Sequence, residues 1–185
     1  MLNMKKIYLL IGGPGSGKTS TMEALDKKNI AHFSIGAEYR NLVNQGSELG
    51  EVVKNYIDKG QVVPIQIAQK VIENFIEKGN EVIVIDGYPR NMEQLHMLND
   101  AIENKAELCI VIELIVEEEV ALERITQRAR GVDDDPAMFK ERIRVYEAEI
   151  EEIRNYYKSQ KKYVVVNSNN DINTTAEKLR DILFA

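Results

Sequence analysis

Residues 7–20, "IYLLIGGPGSGKTS", constrain the fold of this 185-residue chain more than any other stretch. An apolar run of strand character breaks into glycines and ends on a lysine and two hydroxyls. Gly12, Gly17, Lys18 and Thr19 complete the spacing G-x-x-x-x-G-K-[ST], with a strand before it and a helical segment after it. In that context the spacing is a phosphate cradle. Glycine lets the backbone close around phosphate oxygens, so that successive N–H groups and a helix start point inward. Lys18 places positive charge at the terminal oxygens, and Thr19 offers a hydroxyl to Mg²⁺. A glycine-rich turn that contains lysine by coincidence is the competing reading, and the flanking elements weigh against it.

A strand feeding such a loop belongs to a parallel sheet, and the rest of the chain alternates accordingly. Runs 5–11, 31–36, 80–86, 108–115 and 162–168 are short, rich in β-branched or aromatic residues, and bounded by turn residues. Three of them are nearly continuous apolar runs, as expected of strands covered on both faces. Helical spacing lies between them. Over 64–78, Ile67, Val71 and Phe75 recur every four residues, and 136–158 opens on a proline and carries alternating charge. The predicted fold is α/β, a three-layer α/β/α arrangement around a central parallel five-stranded sheet, as one domain over 1–185. Residues 35–63 offer helices and no strand, and read as a helical insertion over the sheet edge.

Composition narrows the functional class. Hydrophobic residues at 44% and charged residues at 29% are those of an ordinary water-soluble domain. No apolar run reaches the roughly 20 residues of a membrane helix, and the longest, "LCIVIELIV", contains Glu113. The start, "MLNMKKIYLL", runs into glycines and Lys18 where a secretory signal has a small-residue cleavage site. A cytoplasmic protein with no membrane partner is expected. The single cysteine, Cys109, excludes an intramolecular disulfide and a cysteine-based metal knuckle, and is expected to pack in the core. A net charge of −6 is opposite to the basic face of a nucleic-acid binder. His32 and His96 read as packed or surface residues without a catalytic role.

Against that acidic background several of the arginines fall beside glycines, prolines or acidic clusters. They include Arg40 in "FSIGAEYRN", Arg90 in "DGYPRNMEQL", and Arg124, Arg128 and Arg130 ahead of "GVDDDP". Asp86 ends an apolar strand, where an acid beside a phosphate loop holds Mg²⁺ through water; a simple turn residue is the alternative. Arg90 follows on a turn pinned by Gly87 and Pro89, at the carboxyl edge of the sheet where ligands of open α/β folds bind. An arginine held there suits a second phosphate-bearing substrate, because transfer between two anions requires several cations to offset their repulsion. The acids at 133–135 also suit a helix-capping turn before Pro136.

Five motifs in order make the chain resemble the nucleoside monophosphate kinases of the adenylate kinase family over essentially its whole length. "GGPGSGKTS" resembles that family's phosphate loop, and "FSIGAEYR" its Ser-Thr-Gly-Asp-x-x-Arg segment. "GQVVP" (60–64) is similar to its Gly-x-x-Val-Pro, and "DGYPRNMEQ" to its Asp-Gly-Phe-Pro-Arg-x-x-x-Gln. "ERITQRARGVDDDPAMFKERI" resembles its Arg-x-x-x-Arg, lid and Asp-Asp-x₇-Arg stretch.

The resemblance implies phosphoryl transfer from Mg–ATP to a nucleoside monophosphate, by a monomer and without zinc. It implies that Gly13, Gly15, Ser16, Gly17, Lys18, Thr19 and Ser20 wrap the ATP phosphates, with Thr19 and Asp86 at the metal. Arg124 is expected against the ATP adenine. Arg128 and Arg142 are expected to reach the moving phosphoryl as a short lid, about 127–134, closes on a hinge at Asp133 and Asp134. In an acceptor-binding insertion over about 34–63 and the segments facing it, Arg40 and Arg90 are expected to grip the monophosphate. Ile35, Gly36, Gln61, Val62, Val63, Gly87 and Gln94 are expected around its nucleoside.

Four departures from the family pattern carry expectations of their own. Thr19–Ser20 replaces glycine–threonine, which leaves two hydroxyls as Mg²⁺ candidates. Ile35 and Ala37 stand where the family has threonine and aspartate, so a hydroxyl near the acceptor base is lost. The lid has four residues between Arg128 and Asp133, and the chain has no Cys or His cluster for zinc. Gly131 stands where the family has a lid arginine, and Arg130, one position away, is expected to replace it. Gln94 matches the AMP-specific members and makes AMP the expected acceptor. A UMP/CMP kinase, whose asparagine after the arginine is matched by Asn91, is the alternative; a non-catalytic nucleotide-binding regulatory module is the second.

Overall fold

A computed structural model describes residues 4–25, 29–58, 63–78, 80–128 and 136–185. Strand β1 (Lys5–Ile11) is central. It pairs in parallel with β3 (Val82–Asp86) on one side and β4 (Ala106–Ile115) on the other. Beyond these lie β2 (Ile30–Ser34) and β5 (Tyr163–Asn167), giving an all-parallel sheet of order β2-β3-β1-β4-β5.

The residues of β1 alternate between two cores. Ile7, Leu9 and Ile11 pack under α4 (Ile65–Lys78), α5 (Met92–Ile102) and α7 (Pro136–Ser159). Tyr8 and Leu10 pack on the opposite face under α1 (Lys18–Ala24) and α8 (Ile172–Leu183). A two-residue period on a strand covered on both faces yields the unbroken apolar run seen in the sequence. Each of these fully buried aliphatic side chains contributes about 1.5–3 kcal/mol of burial. A third, small cluster joins Ala121 and Ile125 of α6 (Glu118–Arg128) to Phe139 of α7.

The strand expected over 31–36 stops early. Ser34 ends β2, and α2 (Ile35–Asn44) begins at the next residue, followed by α3 (Glu48–Asp58). Ile35, Tyr39 and Leu42, spaced i, i+4 and i+7, pack against the main core as one helix face. That packing outweighs the strand preference of a β-branched residue.

Topology places the phosphate loop. The connection leaving β1 runs toward β2, and the one leaving β4 runs toward β5. Connections departing in opposite directions open a crevice at the carboxyl ends of those two strands, where open α/β sheets bind ligands. Gly12 sits in it so closely that a Cβ there would lie 2.7 Å from the Leu114 carbonyl oxygen. Among the described residues no helix is long and apolar enough to cross a membrane. Cys109 is partly buried and packs against the second core.

Candidate active site

The loop from Gly12 to Gly17 is built by close approach and by backbone conformation. Gly15 has φ 75°, and a Cβ there would lie 2.6 Å from the Ala121 carbonyl oxygen of α6. Gly17, at φ 83°, is the N-cap of α1, and no side chain caps that helix. Its first backbone N–H groups therefore keep their capacity for an anion.

Lys18 folds back over the loop. Its Nζ donates to the Gly12 carbonyl at 2.6 Å, and at 3.3 Å to both the Gly13 carbonyl and Ser16 Oγ. The side chain as a whole is only partly buried, but the ammonium is withdrawn from water against these oxygens. That burial pushes its pKa down to about 8, and Asp86 opposes the fall. Arg90 and Arg142 add to it by repulsion, while Glu113 opposes it more weakly. Several cations thus converge on one ammonium, and a phosphate arriving there relieves both desolvation and repulsion.

The structure gathers many of the residues singled out from sequence around one cavity of about 630 Å³. Lys18, Thr19, Ser20 and Asp86 line it, with Arg40, Arg90, Arg124 and Arg142 converging from four other segments. Arg124 Nη2 donates to the Ser168 carbonyl at 2.7 Å and the Asn170 carbonyl at 3.1 Å, which fixes α6 against the β5–α8 loop. Thr19, Ser20 and Asp86 present hydroxyl and carboxylate oxygens, the hard donors that suit Mg²⁺. Among the described residues no group of three or more His, Cys, Asp or Glu is assembled for a metal.

A second cavity, about 430 Å³, shares Ile35, Gly87 and Arg90 with the first. Tyr39 of α2, Val63, Tyr88 and Gln94 complete the part of its wall that matters here. The β3–α5 turn is held by its own side chains. Asn91 caps α5 by accepting from the Gln94 N–H at 2.9 Å, while Gln94 Oε1 accepts from the Arg90 N–H at 2.8 Å. Arg90 Nε donates to the Gly87 carbonyl at 3.0 Å. Gln94 therefore spends one acceptor lone pair on the turn and keeps its amide N–H groups and a second lone pair for a ligand. Gln61, Val62, Arg130, Asp133 and Asp134 lie outside the described residues, as does the side chain of Arg128, which ends α6.

Two features escaped the sequence reading. His32 Nε2 lies 3.5 Å from Asp86 Oδ2, brought there by pairing of β2 with β3; His96 is exposed on α5. More consequential is Glu113, which is 1% exposed on β4. It accepts from Tyr146 Oη at 2.8 Å, from Arg154 Nε at 2.8 Å and Nη2 at 2.6 Å, and from the Tyr163 hydroxyl. Burial alone raises the Glu113 carboxyl, but hydrogen bonds from Arg154, Tyr163 and Tyr146 outweigh it and hold the group below the ordinary carboxylate range. Tyr146 lies one helical turn beyond Arg142 on α7 and lines a third cavity with Lys18, Arg90 and Arg142. The Glu113 network thus sets the rotation of the helix that carries Arg142. A glutamate inside an apolar run was the only signal of it in the sequence.

The family model for adenylate kinase matches residues 10–162. The chain is 39% identical to an adenylate kinase of Nautilia profundicola over 97% of both chains. It is 41% identical to one of a Nitratiruptor species, over 83% of this chain and 82% of the relative. It is 42% identical to one of Helicobacter hepaticus, over 85% and 86%.

Proposed function

The chain belongs to the adenylate kinase family and is a nucleoside monophosphate kinase that phosphorylates AMP; from that premise we propose how its own residues carry the transfer. The observation that supports the assignment best is a shared wall. Arg90 lines the phosphate-loop cavity, the acceptor cavity and the cavity beneath Tyr146, and Lys18 and Arg142 meet it in two of them. A phosphoryl group passing between two nucleotides has to cross there.

Gly13 and Gly15 to Ser20 cradle the ATP phosphates, with Lys18 at the terminal one and Arg124 against the adenine. Arg40 and Arg90 hold the AMP phosphate, and Ile35, Gly36, Val63, Gly87 and Gln94 surround its nucleoside together with Gln61 and Val62. An AMP phosphate oxygen attacks the terminal phosphorus of ATP, the bond to the β-phosphate oxygen breaks, and two ADP molecules result. That oxygen is already a nucleophile, so no general base is required; the residues align the partners and neutralise charge. Arg128, Arg142 and Arg130 stabilise the moving phosphoryl. Asp133 and Asp134 hinge a short lid over 127–134 that excludes water. Thr19 and Asp86 would hold Mg²⁺, directly or through water, with Ser20 the neighbouring hydroxyl; the ion would supply positive charge that offsets the charge of the ATP phosphates. The enzyme acts as a cytoplasmic monomer.

The test is a turnover assay with Mg–ATP and AMP, UMP, CMP or GMP in turn, detecting diphosphate product. AMP is expected to give the highest kcat/KM. Preference for UMP or CMP would reassign the acceptor, and no product with any of them would leave a nucleotide-binding module.

A further inference from the structure

A side chain from α7 lies against the phosphate loop. A Cβ on Gly13 would stand 3.5 Å from Cδ1 and 3.7 Å from Cε1 of Tyr146, so that ring runs alongside the loop backbone. The ring is also anchored to the sheet. Its hydroxyl donates to Glu113 Oε1 at 2.8 Å, and the Arg154 guanidinium carbon lies 5.9 Å from its centroid, within cation–π reach. Glu113 is fixed in turn, because Arg154 of α7 and Tyr163 of β5 donate to the same carboxylate. Two cavities share Tyr146 and Pro14 as a wall. One, about 250 Å³, holds Lys18, Arg90 and Arg142; the other, about 150 Å³, holds Glu113, Glu147 and Arg154. Arg142 precedes Tyr146 by four residues on α7, so the two side chains leave one helix face a turn apart. Fixing one against the loop fixes where the other starts from.

We propose that Tyr146 is a positioning residue for phosphoryl transfer: by bridging Glu113 and the loop at Gly13, it sets the approach of Arg142 to the phosphate that the loop holds. This rests on the reading of Arg142 as a cation for the moving phosphoryl. Tyr146 acts through Arg142 and forms no bond that changes in the reaction. A misplacement of about 1 Å at such a group slows transfer about a hundredfold. The grip on AMP is made by other residues, so the loss falls on the rate of the chemical step and spares KM for AMP.

The experiment is ADP formation in a single turnover at saturating Mg–ATP and AMP, which reads the chemical step apart from product release. Tyr146→Phe keeps the ring and loses the bond to Glu113, and its rate is expected to fall about tenfold, the equivalent of one hydrogen bond. Tyr146→Leu also takes the ring off the loop and should lose about a hundredfold. Steady-state KM for AMP should stay within about twofold of wild type in both. Tyr163→Phe controls for lost stability, since it removes a hydrogen bond from the same carboxylate but lines no cavity of the site. Its rate should remain within about twofold of wild type. In an Arg142→Ala background, Tyr146→Phe should change the rate less than about twofold, because nothing is left for it to position. A full tenfold loss in that background, an equal loss in Tyr163→Phe, or a wild-type rate in Tyr146→Phe would overturn the proposal. A wild-type rate in Arg142→Ala alone would remove the role of Arg142, and the proposal with it.

Discussion

The Tyr146 hydroxyl on α7 donates to the buried Glu113 carboxylate on β4 at 2.8 Å, across 33 residues of sequence. It ties the helix bearing Arg142 to the strand beside the phosphate loop. The same carboxylate takes two hydrogen bonds from Arg154, which is 20% exposed and also pairs with Glu147 at 2.7 Å. Replacing Glu113 by Gln removes the buried charge that Arg154 pairs with, leaving the guanidinium only its bonds to Glu147, and breaking a pair with one partner buried typically costs about 3 kcal/mol. A fall in Tm of about 6–12 °C follows for a chain of this size. Calorimetry on Glu113→Gln checks it; an unchanged Tm would mean the network is decorative.

That pair also predicts a pH dependence. The Glu113 carboxyl titrates below its ordinary value in the fold, so the unfolded chain binds the proton more readily in the acid range. Its contribution is fully present above the unfolded carboxylate pKa and is lost as pH falls through the native value. Acid unfolding followed by circular dichroism should show a shallower acid limb in Glu113→Gln than in wild type, from a lower starting stability.

Lys18 should give a slope of the same sign at higher pH. Its native pKa of about 8 lies below the 10.5 of an ordinary lysine, so between those values the unfolded chain carries more protons and stability gains with rising pH. In the role proposed for Lys18 at the terminal phosphate, ATP requires the charged form. Binding measured by titration calorimetry in the ligand-free enzyme should weaken by up to about tenfold per pH unit above pH 8, until the pKa of the complex is reached. Lys18→Met should bind ATP far more weakly and be more stable without ligand at pH 7. A flat ATP affinity from pH 7 to 9.5 would contradict the desolvated ammonium.

Gly15→Ala tests the fit of the loop. The new Cβ would lie 2.6 Å from the Ala121 carbonyl oxygen, at a φ of 75° that a side chain disfavours. The loop must move to relieve this, at a cost of about 1–3 kcal/mol, and KM for ATP should rise more than tenfold while KM for AMP changes little. Equal effects on both nucleotides would show that the strain spreads beyond the donor half.

Gln94→Ala separates a turn-holding role from a ligand-binding one. It deprives the Arg90 N–H of its 2.8 Å acceptor, so about 1 kcal/mol of stability should be lost. If the remaining amide groups meet the adenine, KM for AMP should rise about tenfold while KM for ATP stays put. Steady-state kinetics decide it, and a stability loss with unchanged KM for AMP would confine Gln94 to the turn.

Local chemistry made much of this protein readable from its residues. The glycine loop needs no distant partner to declare itself, because backbone freedom at Gly12 and Gly17 and the charge of Lys18 act within a few residues. The apolar runs of β1, β3 and β4 announced buried parallel strands for the same reason. Ile35 shows where local preference ended, since a helix face shared with Tyr39 and Leu42 overrode it.

Tertiary structure decided what depends on sheet order. Glu113 meets Tyr163 across 50 residues and Arg154 across 41. His32 meets Asp86 only because β2 pairs with β3, and Arg124 reaches the Ser168 and Asn170 carbonyls only because α6 and the β5–α8 loop share one end of the sheet. Among the described residues the Tyr88 hydroxyl has no partner, a consequence of how its ring is buried that no spacing encodes. Periodicity and turn chemistry are properties of neighbours in sequence. A buried charge or hydroxyl takes its meaning from neighbours in space, and the fold had to form before those were set.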